Sequence, residues 1–170
     1  MSKRPSEDEA PEAKRIADSE PTHESVVELR EVTRDTARAV CNLAVGESQN
    51  NFVQPNSFSI VNAYFEPKAW FRAIHADDTP VGFVMLFVDE ESAKYDLWRF
   101  MVDAKYQKMG FGNKALEQTI AHVKTRPNAT EMRLTYMPGE GSPSRFYEKA
   151  GFKHTGVDYD GELEMKLVFA

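Results

Sequence analysis

The feature that most restricts the fold is a change of hydrophobic period across a glycine-rich turn. Tyr95 to Val102 read as a strand, and the turn Gln107-Lys108-Met109-Gly110-Phe111-Gly112 follows it. Beyond it Phe111, Ala115, Leu116, Ile120 and Val123 recur at helical spacing. A helix start leaves several backbone N–H groups unpaired at the positive end of its dipole. Glycine at 110 and 112 lets the backbone approach an anion with no Cβ in the way. The amides of residues 107–112 therefore predict a diphosphate cradle, with the Lys114 ammonium nearby. A bare Gly-x-Gly is a weak signal, since any tight strand-to-helix turn can carry it. Rival nucleotide motifs do not fit. There is no Gly-x-x-x-x-Gly-Lys-Ser/Thr, and Ala115 stands where a dinucleotide fingerprint wants its third glycine.

The flanking pattern supplies the rest of the architecture. Val26, Val27, Leu29 and Val32 predict a first strand. Thr33 and Asp35 offer N-cap oxygens to a helix running to Val45, with Gly46 as its stop. Ser57 caps a second helix through Tyr64, and Pro67 ends it. Residues 70–76 and 81–88 predict a hairpin across Asp77-Asp78-Thr79-Pro80. After the glycine turn and its helix come a strand at 133–137, a loop at 138–141 and a short helix to Ala150. Residues 152–157 and 163–169 close the chain as two strands around Asp158-Tyr159-Asp160-Gly161. The expectation is an α/β (α+β) fold: a mixed central sheet of about seven strands flanked by about four helices, in the order β-α-α-β-β-β-α-β-α-β-β.

Composition narrows the function classes. Residues 1–24 are rich in Pro, Glu, Ala, Ser and Lys and almost free of apolar side chains. They predict a disordered tail, leaving residues 25–170 as one domain. Lys3-Arg4 and Lys14-Arg15 form a split basic pair of the kind a nuclear-import signal uses, but the second cluster is short and a solubilising tail is the plainer reading. No apolar run is long enough to cross a bilayer and no signal core is present, so a cytoplasmic protein without membrane contact is expected. Of the net charge of −6, half falls in residues 1–25, which leaves the remainder only mildly acidic. That argues against a nucleic-acid binder, which needs a concentrated basic face. Cys41 is the single cysteine, within the apolar stretch AVCNLAV, and reads as a buried core thiol. No histidines and carboxylates share the close spacing of a metal site.

Gln107-x-x-Gly110-x-Gly112 resembles the Gln/Arg-x-x-Gly-x-Gly/Ala signature of the GNAT N-acetyltransferases. Downstream, Phe146-Tyr147-Glu148-Lys149-Ala150-Gly151-Phe152 is similar to that family's Leu-Tyr-Glu-Lys-x-Gly-Phe. The element order agrees, over roughly residues 26–168. Finer stretches, among them residues 51–57, 80–85, 97–101 and 138–143, resemble the bacterial spermine/spermidine (diamine) acetyltransferase branch. The resemblance implies acetyl-CoA as co-substrate, with its pantetheine arm on main-chain groups of Phe100, Met101 and Val102 and its diphosphate on Gln107, Lys108, Met109, Gly110, Phe111 and Gly112. It implies direct attack by a primary amine, a polyamine first, with Tyr147 as general acid. Glu140 and Asp96 are the candidates for accepting the amine's proton; His75 reads as a strand residue and His122 as a solvated helix face. Phe52, Trp98 and Arg99 are expected at the acceptor. Arg99 departs from the acidic pair with which animal diamine acetyltransferases hold their polycation. A homodimer through the C-terminal strands is compatible with the apolar Leu163, Met165, Leu167 and Phe169. The alternatives are an acetyltransferase for another small amine, an amino acid or a protein amine, and a non-catalytic acetyl-CoA-binding module.

Overall fold

The computed structural model describes residues 20–170. The basic pairs of the tail lie outside these residues. The described chain runs β1 (Val27–Arg30), α1 (Ala37–Asn42), α2 (Asn56–Phe65), β2 (Ala69–Ala76), β3 (Thr79–Asp89) and β4 (Lys94–Val102). It continues with α3 (Phe111–Lys124), β5 (Glu131–Tyr136), α4 (Ser144–Lys149), β6 (Lys153–Tyr159) and β7 (Glu162–Val168). The order is the expected one. Two short 3-10 turns, Glu47–Gln49 and Ala104–Tyr106, are additional.

All seven strands form one sheet in the order β1-β2-β3-β4-β5-β7-β6. Only β4 and β5 are parallel neighbours, as the helical crossover between them requires. Each face carries its own apolar layer. Ile74, Val84, Leu86 and Leu97 pack beneath Phe111 and Leu116 of α3 and Tyr147 of α4. On the opposite face Ala73, Phe83, Met85 and Met101 pack with Val40 of α1. The alternation of strands buried on both faces is what the apolar run of β3 predicts.

Several local expectations change. α1 stops at Asn42, not Val45, because Ala44 is drawn out of the helix. Its N–H donates to Asp103 Oδ2 at 2.8 Å and its carbonyl accepts from Ala104 N–H at 2.9 Å. Thr36 occupies the N-cap instead of Thr33 or Asp35, and no side chain caps the helix. Cys41 is half-buried, on a helix too short to enclose it. Residues 20–24 pack against the body: Pro21 is buried and Glu20 meets Lys105 at 2.9 Å. At the other end Met165 is fully buried, half-buried Leu167 and Phe169 pack on the core, and Leu163 is half-buried.

Candidate active site

β4 and β5 pair only at Asp96↔Arg133 and Leu97↔Leu134. Beyond Leu97 they diverge. The cause lies on the other edge of β4, where Met85 faces Arg99 and Leu86 faces Leu97, leaving Trp98 as a bulge. A bulge bends its strand and reverses the side-chain parity beyond it. Trp98 accordingly joins the layer of α1 and α2, while Phe100 lies 5.7 Å from Phe146 on the α4 side. Asp103 N–H donates to Val81 O at 2.8 Å. By strand alternation, Met101 therefore turns its main-chain groups to β3, and Phe100 and Val102 turn theirs into the gap. A cleft of about 1640 Å³ opens there. That exceeds the space taken by a drug-sized ligand (~300–1,000 Å³) and leaves room for a long cofactor and an acceptor together.

The glycine turn closes one end of the cleft. Gly110 holds φ +84° as the N-cap of α3, and no side chain caps this helix. A Cβ on Gly110 would meet nothing within 4 Å, so the side toward the open cleft is clear. On Gly112 a Cβ would touch Phe146 at 3.5 Å and Val102 at 3.6 Å, ordinary contacts. Gly110 is thus the conformational requirement, and Gly112 serves the packing of α3 against α4. Lys108 also adopts a left-handed backbone, at φ +64°. The Gln107 amide donates to Val102 O at 2.9 Å and to Gln49 Oε1 at 2.7 Å, tying the turn to β4 and to the loop between α1 and α2. Gln107 therefore positions the turn with its side chain.

The expected cofactor residues separate into groups. Phe100, Met101, Val102, Gln107, Lys108, Gly110 and Gly112 line the cleft. Met109 and Phe111 point their side chains into the core and offer only main-chain amides. Lys114 lies outside the lining, donating to His23 O at 3.2 Å and Ser25 O at 3.4 Å. Arg145 and Lys149 of α4 do line the cleft, and with Lys108 they make its turn end cationic.

Tyr147 sits on the cleft wall, 7% exposed, between Phe146 and Phe152 at ring distances of 5.2 and 5.8 Å. Burial alone drives its hydroxyl pKa far above the ordinary tyrosine value, so the group stays protonated. Phe52 lines the cleft and lies against the loop carrying Glu140: a Cβ on Gly139 would be 3.8 Å from its ring. Glu140 itself is exposed and not part of the lining. Asp96 is half-buried in the lining, and its Oδ1 has no hydrogen-bond partner. Burial raises its pKa, with Lys94 and Arg133 opposing.

Trp98 and Arg99 both line the cleft. The wall around them mixes acids with Lys94 and Arg133: Glu162 accepts from Thr135 at 2.8 Å, and buried Glu164 accepts from Thr155 at 2.8 Å and meets Arg133 at 3.6 Å. These β7 acids went unnoticed in the sequence, although Glu162-Leu163-Glu164-Met165 shows one polar face. His75 is buried in β2 with neither ring nitrogen partnered. His122 is not a solvated residue: Trp70 stacks on it at 4.1 Å and Arg126 meets its Nε2 at 2.7 Å. Among the described residues, no three His, Cys, Asp or Glu gather as a metal site, and no helix is long and apolar enough to cross a membrane.

A splayed parallel pair with an uncapped helix start at its mouth leaves strand main-chain groups and free amides facing one cleft. Residues 37–152 match the model of the acetyltransferase (GNAT) family, and the chain belongs to that family as an N-acetyltransferase. It is 27% identical over 150 residues to the spermine/spermidine N(1)-acetyltransferase of Bacillus subtilis (strain 168), covering 82% of this chain and 96% of that one. The PaiA N-acetyltransferase of Thermoplasma acidophilum, solved with coenzyme A, shares the fold at a TM-score of 0.66 and 18% identity, covering 85% of this chain and 99% of its own. The spermidine N-acetyltransferase of Vibrio cholerae, solved with CoA and spermine, matches at a TM-score of 0.67 and 14% identity, covering 84% and 95%.

Proposed function

We propose that the chain transfers acetyl from acetyl-CoA to a primary amine of a small molecule by direct attack in a ternary complex. The observation that carries this reading is the charge division of the cleft. Lys108, Arg145 and Lys149 stand at the turn end, while at the other the acids Asp96, Glu131, Glu162 and Glu164 outnumber the bases Lys94, Arg99 and Arg133 by one. The first suits the phosphates of CoA and the second suits an ammonium. The pantetheine arm adds to β4 through the main-chain groups of Phe100 and Val102, which places the thioester between the two ends. The diphosphate rests on the free amides at the start of α3.

An alkylammonium has a pKa near ~10 and must shed a proton to become a nucleophile. Asp96 is the cleft carboxylate best placed to take it, ahead of the exposed Glu140. The amine nitrogen then bonds to the thioester carbonyl carbon, and main-chain donors of β4 meet the oxyanion. Collapse breaks the C–S bond, the nitrogen passes its second proton to solvent, and the Tyr147 hydroxyl protonates the departing thiolate, Asp96 later releasing the first proton to solvent. Solvent restores the tyrosine proton. No protein nucleophile takes part.

Polyamines are the first acceptors to test, since the B. subtilis relative and the V. cholerae structure carry those names. The small excess of carboxylates at that end supports a cationic acceptor. A pure polycation leaves Arg99 without a counter-charge. The test is CoA release with spermidine, spermine and shorter diamines. Amine-dependent release that falls about 10²–10⁴-fold in Tyr147→Phe supports the reading. Acetyl-CoA binding with no release for any amine would leave a binding module in its place.

A further inference from the structure

The acceptor half of the cleft contains a guanidinium with no anion at ion-pairing distance and, on a carboxylate that Lys94 holds by one oxygen, a second oxygen with no donor. Lys94 has Asp96 at 3.3 Å, and Arg133 has Glu131 at 2.5 Å and Glu164 at 3.6 Å. Arg99 has no carboxylate at ion-pairing distance among the described residues. It donates through Nη1 to Trp98 O at 2.8 Å and lies 5.6 Å from the Trp98 ring, while its buried Nε has no partner. Asp96 Oδ1 is likewise buried and unpartnered. A guanidinium cannot discharge itself by losing a proton, so partial burial is costly until an anion meets it.

The bulge puts these two groups together. Arg99 pairs with Met85 and Asp96 pairs with Phe87. Met85 and Phe87 are alternate residues of β3, so Arg99 and Asp96 leave the same face of the sheet about 7 Å apart along the strand. An α-amino acid carries its two charges on one carbon and cannot span that gap. A diamino acid can, with its carboxylate at one end and its terminal amine at the other. A planar fork suits a carboxylate bidentately. The neighbouring acids Glu162 and Glu164 disfavour a more highly charged phosphate.

Resting on the acetyltransferase reading, we infer that the acceptor is a basic amino acid whose carboxylate binds Arg99 and whose terminal amine faces Asp96. Arg99 is then the specificity-determining residue, selecting the carboxylate-bearing amine over the plain diamine.

Ornithine and putrescine differ only by the carboxylate, which makes them the matched probes. With the native protein kcat/KM for ornithine should exceed that for putrescine by about 10- to 100-fold, the range of a charge-assisted hydrogen bond. Arg99→Gln should erase the preference by raising KM for ornithine far more than KM for putrescine, and Arg99→Lys should restore part of it. Putrescine or spermidine used as well as ornithine overturns the inference. So does an Arg99→Gln variant that loses both activities equally. If no amine is turned over, the acetyltransferase reading fails by itself. Calorimetric binding of ornithine and putrescine with CoA present still decides the matter: tighter ornithine binding supports the inference, and equal binding refutes it.

Discussion

At the scale of single residues, burial without a partner is the theme. Tyr147 is held neutral by its apolar surroundings, which is the state a proton donor needs. Tyr147→Phe should keep acetyl-CoA affinity while kcat drops, a split that calorimetry beside steady-state kinetics resolves. His75 illustrates the same physics with a stability consequence. Burial, aided by Arg30, lowers its pKa below the usual histidine value. The unfolded chain takes up that proton near pH ~6.5 and the folded chain only lower. Stability is therefore full above about pH 6.5 and declines as pH falls toward the folded value, by at most ~1.4 kcal/mol per pH unit. Urea unfolding at pH 7 and pH 5 should show the drop, and His75→Leu should flatten it. Tyr147 was legible in the sequence through its motif. His75 was visible only as a strand residue, because its lack of partners depends on what the folded chain brings near.

At the scale of elements, the cleft depends on how β4 is held. A Cβ on Gly82 of β3 would collide with the Met101 carbonyl, a backbone atom that cannot move aside. Gly82→Ala should cost about 1–3 kcal/mol and raise KM for acetyl-CoA, since the Phe100 and Val102 main chain shifts with its neighbour. Gly110→Ala meets no obstruction, but an L-residue at φ +84° is strained by about 1–2 kcal/mol. A melting comparison of the two separates steric collision from backbone strain. The glycine turn, the strand before it and the helix after it were legible in the sequence, since a period change and two glycines are local signals. The bulge at Trp98 was not, because it exists only in the pairing of β4 with β3. The long-range braces were hidden for the same reason: Gln49 on Gln107 and Asp103 on Ala44 join residues 58 and 59 positions apart.

At the scale of the whole molecule, one sheet separates two layers, and the opening between β4 and β5 gives the cleft a cationic end and a mildly acidic one. A ligand that binds only the folded chain stabilises it by mass action. Acetyl-CoA at a hundred times its Kd should add about 2.7 kcal/mol, a rise in Tm of several degrees. The element order was readable from the sequence, and the fold from that order together with the two motifs that carry the family resemblance. The polarity of the cleft was not, since Lys108, Arg145, Asp96 and Glu164 come from four separate elements and only the sheet order collects them. The most direct test of the central claim is thiol release from acetyl-CoA, followed with DTNB across a panel of polyamines, diamines and basic amino acids. The account predicts CoA release that requires both an amine and the Tyr147 hydroxyl. Measured acetyl-CoA binding with no amine-dependent release from any member of the panel would contradict it.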